Sequence, residues 1–397
     1  MPKKKVNEID DVTDDTVESL RDALTSPAVA QTVDPASRLS SGCTLLNLAC
    51  TNDPNGFLGK GDYMWLCGAS NAGKTWLLMT MLAEAANSDA YKDYRLIYDD
   101  VENGCLMDVE QYFGKKLQAR LEPPRRDKSG NPIYSDKVED FYFHLDDIIK
   151  TKKPFIYILD SMDSLDSIDA QEKFEENKEI RRGNEKKGTS KDLKGSYGDG
   201  KAKMNSQNIR RVITQLRSTG SILVVVTQTR DNITGLGAPQ VAGGGRALKF
   251  YAHVELWLKP IGDITKSVKG KLRSIGTKVE AKLKKNRHTG QRPDIQFPIY
   301  NSYGLDDIGS MLDWLLEEKV ITPEKSKDKE EKTSEPKEEK VSKQIIAIPQ
   351  LDLAASREKL IQLIENENRV DDLKNLVAES WNEIIDKTRI VRKKRYE

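Results

Sequence analysis

The chain has 397 residues, and its 64 Lys and Arg nearly balance its 63 Asp and Glu, for a formal net charge of +1. That balance excludes a wholly cationic nucleic-acid binder, so any DNA contact has to come from local patches. The length suits one large α/β core with appendages, or two domains.

Met1-Pro2-Lys3-Lys4-Lys5-Val6 has no apolar stretch behind it, so it does not read as a secretory signal. The basic run is either a nuclear-localisation patch or, as short basic runs usually are, a solvated terminus. Residues 1–37 are acidic and polar, with one expected short helix over 16–24. From 38 to 321 the apolar pattern is dense, and strand-like runs alternate with helical patterns, as in a mostly parallel sheet covered by helices on both faces. Expected strands are 63–67, 95–98, 155–159, 222–227 and 253–258; expected helices include 74–86 and 206–216. In the second helix Ile209, Val212, Ile213 and Leu216 share one face. The four cysteines, Cys43, Cys50, Cys67 and Cys105, form no C-x-x-C pair and suggest neither a zinc site nor a disulfide framework. A reducing compartment fits them, and no apolar run approaches the roughly 18 residues of a membrane span.

The sequence Gly68-Ala69-Ser70-Asn71-Ala72-Gly73-Lys74-Thr75 satisfies G-x-x-x-x-G-K-[ST], with an apolar run before it and an apolar helix after it. Glycines let successive N–H groups turn inward to phosphate oxygens, and the following helix adds its positive end. Lys74 would meet the β and γ phosphates and the Thr75 hydroxyl would ligate Mg²⁺. ATP or GTP binding is therefore expected. The strand 155–159 runs into Asp160, placed to hold Mg²⁺ as a second metal-side residue. Hydrolysis needs a group that positions water. Glu102, in Asp99-Asp100-Val101-Glu102, is the candidate, unless these acids merely end a strand.

Two segments interrupt the core. Residues 163–203 are long, polar and rich in Lys, Glu and Gly where a short connection is usual. Residues 322–340 contain no aliphatic side chain, and 322–345 read as a charged tether. Beyond it, 346–397 carry two amphipathic helical patterns, through Leu360, Ile361, Leu363 and Ile364 and then Leu373, Leu376, Val377, Trp381, Ile384 and Ile385. They would form a small helical module, a candidate contact for a loading or mediator protein.

From about 39 to 314 the chain resembles the RecA recombinases and their phage relatives. Leu39-Ser40-Ser41-Gly42-Cys43-Thr44-Leu45-Leu46-Asn47 is similar to the family's lead-in to its P-loop, and Asp100 and Glu102 sit where the family keeps its catalytic glutamate. The most specific match is Gly244-Gly245-Arg246-Ala247-Leu248-Lys249-Phe250-Tyr251-Ala252, followed by Ile261-Gly262. The resemblance implies a DNA-dependent ATPase with a RecA-like core, using ATP and Mg²⁺, in the cytoplasm of a bacterium or a phage-infected cell. It implies that Gln228 senses the γ phosphate, that 163–203 and 229–243 are DNA-binding loops, and that Lys285 and Arg287 reach the ATP of a neighbouring subunit. Such a trans contact needs a head-to-tail homo-oligomer, and an interface of that kind that does not close makes a helical filament.

Arg230, Gly243, Gly244, Arg246 and Lys249 would then track single-stranded and duplex DNA through phosphate contacts, or else belong to a mobile surface loop. The expected function is homologous pairing and strand exchange. The alternative is a RecA-fold mediator, regulator or helicase-like motor. Departures from the family pattern are the longer, more charged first loop, a second loop without aromatic residues, a short N-terminal region and a dissimilar C-terminal module.

Overall fold

Strand residues with apolar side chains on both faces can only be buried between two layers, and this chain supplies both. The structure is a computed structural model and describes residues 37–187, 199–230, 241–243, 245–323 and 344–392. The expected helix at 16–24 and the tether over 324–343 lie outside them.

Five strands form the parallel part of the sheet: β1 (Tyr63–Gly68), β2 (Arg95–Asp100), β5 (Phe155–Asp160), β6 (Ile222–Arg230) and β8 (Val254–Val268). They lie in the order β8-β1-β6-β5-β2, so β2, β5 and β6 are neighbours in both chain and sheet while β1 sits between β6 and β8, and helical crossovers join the parallel strands. β9 (Lys271–Asn286), β10 (Asp294–Tyr300) and β11 (Gly304–Leu305) then extend the sheet beyond β8 in antiparallel fashion. The short hairpin β3 (Arg125–Arg126) and β4 (Pro132–Ile133) stands apart, and β7 (Val241–Ala242) pairs with the end of β6.

Side chains alternate across the sheet and separate two cores. Met64, Leu66, Ile156, Ile158, Val224 and Val226 face helices α1 (Thr44–Thr51), α2 (Lys74–Asn87) and α9 (Asp307–Glu317). Tyr63, Trp65, Tyr157, Leu159, Leu223 and Val225 face α5 (Val138–Lys150), α7 (Asp199–Thr219) and α8 (Arg246–Tyr251). The two-residue-period alternation is what puts one strand in contact with both.

The polar stretch 163–203 departs from the expectation of a loop. It contains α6 (Ile168–Lys187) and the start of α7. Glu and Lys are good helix formers, and Glu175 and Lys178 pair one turn apart at 3.1 Å. Helices α3 (Val109–Phe113) and α4 (Lys115–Arg120) pack outside α2.

The C-terminal helices α10 (Arg357–Asn366) and α11 (Val370–Thr388) bury Leu360, Ile364, Leu373 and Val377 in the same core as α1 and α9. Trp381 lies 5.7 Å from Trp314, and its indole N–H donates to Asn52 Oδ1 at 3.2 Å. Strands β12 (Thr322–Pro323), β13 (Ile346–Ile348) and β14 (Leu353–Ala355) form a small sheet beside them. Among the described residues no helix is long and apolar enough to cross a membrane.

Candidate functional site

Parallel strands all end on one side, so loops from distant parts of the chain meet there. Here the C-terminal ends of β1, β2, β5 and β6 converge. The loop 68–75 leaves β1 and enters α2 through Gly73, whose φ is 76°, in the left-handed region. A Cβ on Gly73 would also press on the tip of the Ile299 side chain, but it is the left-handed φ that favours glycine here. Lys74 Nζ donates to the carbonyls of Gly68 at 3.1 Å and Ala69 at 2.8 Å, both oxygens of its own loop. Burial lowers its pKa, while Asp160 and Glu102 oppose that shift.

Asp160 ends β5 across from the loop. Its Oδ2 accepts from Thr75 Oγ1 at 3.3 Å and from the Tyr98 hydroxyl at 2.6 Å. Burial raises its carboxyl pKa, with the Tyr98 hydrogen bond pulling the other way. Glu102 lies just past β2, its amide N–H donating to Asp160 O at 3.3 Å. One carboxylate oxygen, Oε1, accepts from Gln228 Nε2 at 3.0 Å, from Ser164 Oγ at 3.0 Å and from Ser161 Oγ. Gln228 is held at its other end too, since its backbone N–H donates to Asp163 Oδ2 at 2.6 Å. Lys74, Thr75, Glu102, Asp160 and Gln228 thus line one cleft of about 600 Å³ together with Ser70, Asn71, Ala72 and Gly73. Met107, Asp263 and Asn301 line it as well.

A phosphate-bound Mg²⁺ fits this donor set. Magnesium keeps several waters and takes few protein oxygens, here one hydroxyl and one carboxylate. Among the described residues no cluster of three or more His, Cys, Asp or Glu offers an all-protein metal cage.

The remaining expected residues sit elsewhere. Lys285 Nζ donates to the carbonyls of Lys249 at 3.1 Å and Phe250 at 2.7 Å, and Arg287 to that of Phe250 at 3.2 Å. Both cations therefore cap the C-terminal end of α8, where the helix dipole favours them, and neither lines the cleft of its own chain. Lys249 pairs with buried Glu255 at 3.5 Å. Arg246 opens α8 and is exposed. Gly243 backs onto Asp163, where a Cβ would clash with the carboxylate. Gly244 and the Arg230 side chain lie outside the described residues, although the Arg230 backbone pairs with Val241.

Tyr98, Ser161, Ser164 and Asp163 escaped sequence reasoning. They follow no motif; their one signal is position, at or just beyond the strand ends that flank Asp160.

Fold and site together define a P-loop protein with a RecA-like α/β core. Residues 185–306 match the RecA N-terminal domain. The RecA proteins of Rubrobacter xylanophilus and Chlamydia trachomatis serovar L2 are each 30% identical over 135 residues, covering 33% of this chain and 38% of theirs. That of Cytophaga hutchinsonii is 31% identical over 135 residues, covering 33% and 37%. Over that segment the chain is similar to these RecA proteins, and it spans under two fifths of their length. Gln228, α8, Lys285 and Arg287 fall inside the matched residues 185–306; the P-loop, Glu102 and Asp160 fall outside and stand on geometry.

Proposed function

We propose that this chain is an ATP-hydrolysing, DNA-binding recombinase of the RecA type, which binds single-stranded DNA and pairs it with a homologous duplex. The observation that carries the reading is the hydrogen bond from Gln228 to Glu102 in the lining of the P-loop cleft. It joins the group suited to position water with the strand that leads into the 229–243 loop.

Lys74 would exchange the Gly68 and Ala69 carbonyls for the β and γ phosphates. Thr75 and Asp160 would hold Mg²⁺, which when bound neutralises phosphate charge. Glu102, oriented by Ser161 and Ser164, would take the proton of the attacking water. Gln228 would lose or keep its bond to Glu102 according to what fills the cleft, and β6 would pass that difference to the loop. The match of 185–306 to the RecA N-terminal domain supports DNA as the partner of the loop residues Arg230, Gly243, Gly244 and Arg246.

ATP turnover with and without single-stranded DNA tests the reading. Turnover should rise with DNA and vanish in Lys74→Ala. Glu102→Gln should bind ATP as the parent does but turn it over at least about a hundredfold more slowly. Parental turnover in Glu102→Gln would remove it from the role.

A further inference from the structure

Asp160 is held by a neighbour that the P-loop pattern does not call for. Tyr98 sits on β2 opposite Ile158 of β5, and its half-buried ring packs against the core that holds α2. From there the phenol O–H reaches along the sheet to Asp160 Oδ2 at 2.6 Å. That length suits a hydroxyl donating to an ionised carboxylate, a bond stronger than one between neutral groups. Thr75 Oγ1 donates to the same oxygen at 3.3 Å, and among the described residues Asp160 Oδ1 accepts no hydrogen bond. One carboxylate oxygen is therefore pinned twice, and the other is left to the cleft, which Asp160 lines and Tyr98 does not. The oxygen of Thr75 keeps its lone pairs open as well, because its hydroxyl is the donor.

The same strand braces the second acid of the cleft. Asp100 accepts from the N–H groups of Gly104 and Cys105, each at 3.0 Å, and so ties down the turn that carries Glu102. β2 thus sets Glu102 through the backbone beyond its end and Asp160 through a side chain.

Holding a carboxylate still matters unequally to different ions. The last torsion of an aspartate is soft, so with the Thr75 bond alone the group could turn. Mg²⁺ demands near-ideal octahedral geometry and gives up its waters reluctantly, whereas Ca²⁺ accepts varied angles and more oxygens. An oxygen fixed in advance favours the strict ion, and a loose one favours the tolerant ion. Phenylalanine in place of Tyr98 would pack as well and reach no oxygen. We propose that Tyr98 is a positioning residue for the metal side of the cleft, and that its hold on Asp160 makes the site select Mg²⁺ over Ca²⁺. This rests on the nucleotide reading and names the residue that sets its ion preference.

The test uses the full chain as parent, Tyr98→Phe, Asp160→Asn and the double variant. Binding of ATP is followed by calorimetry in EDTA and across Mg²⁺ and Ca²⁺ concentrations. In Tyr98→Phe the Mg²⁺ concentration at half-maximal binding should rise at least about tenfold, the scale of one hydrogen bond to a charged group. The Ca²⁺ midpoint should move less than about threefold. Binding in EDTA should stay as in the parent. Adding Tyr98→Phe to Asp160→Asn should leave both midpoints unmoved, because the carboxylate it positions is gone. That comparison decides even where Tyr98→Phe alone does not fold. An unmoved Mg²⁺ midpoint, equal rises for the two ions, binding lost in EDTA too, or a further shift in the double variant would each overturn the proposal. A parent that binds no ATP with either ion overturns the nucleotide reading along with it; a parent that binds ATP with a midpoint indifferent to Tyr98→Phe overturns this proposal alone.

Discussion

Asp160 illustrates a residue whose site works against its stability. Its carboxyl is buried beside Tyr98 and Thr75, and burial raises its pKa. A raised carboxyl pKa means that the folded state holds the proton more tightly than the unfolded chain. The stabilisation is therefore present below the unfolded value and is lost as pH rises through the folded one. At neutral pH the ionised group carries a cost that Tyr98, Lys74 and Thr75 offset in part and a bound cation would offset further. Asp160→Asn should consequently melt higher than the parent at pH 7 without Mg²⁺-nucleotide, and the difference should narrow toward mild acid. It should also lose the stabilisation that Mg²⁺-ATP gives the parent. Thermal melts at two pH values, with and without Mg²⁺-ATP, check both signs; a lower melting temperature for Asp160→Asn at neutral pH would refute the first.

Legibility differs from element to element. The P-loop was readable because its spacing is fixed by the phosphates it must wrap, and β1 and α2 were readable because both are apolar and long enough to show a period. The hairpin of β8 and β9 was legible only at its start, 253–258: past Leu258 its aliphatics are spaced three and four apart among Lys, Thr and Ser without a strand's alternation, and no Asn-Gly marks the turn. α6 has no apolar stripe, so only its Glu and Lys content favoured a helix, and a polar helix reads like a loop. The three-residue strands β13 and β14 are too short for any period to appear. The C-terminal helices were readable as helices, but not where they dock. Besides the buried aliphatics, their attachment includes Trp381, 6% exposed against Trp314 and bonded to Asn52. Trp381→Ala should destabilise the core by about 3 kcal/mol, the scale of a large buried aromatic. Urea denaturation should show a single transition moved to lower denaturant; an unmoved core transition would mean that these helices fold on their own.

At the scale of the whole molecule, Lys285 and Arg287, at and just past the end of β9, cap α8 and line no part of their own chain's cleft. If Lys285 and Arg287 serve a neighbour's cleft, Glu102→Gln subunits and Lys285→Ala/Arg287→Ala subunits, each nearly inactive alone, should regain turnover when mixed. An intact Glu102 would then meet intact cations across the interface. No recovery at any ratio, with both variants folded and bound to DNA, would favour a regulator or motor over a filament-forming recombinase. The resting position of these cations carries its own implication. They are spent on the last carbonyls of α8, the helix that begins two residues after Gly244. Drawing them toward a neighbour's phosphate uncaps that helix, so the two events share one free energy. Linkage then makes the relation reciprocal: whatever factor nucleotide gains in affinity when DNA settles the loop, DNA must gain when nucleotide recruits the cations. Two affinities measured separately, each with and without the other ligand, have to return the same number.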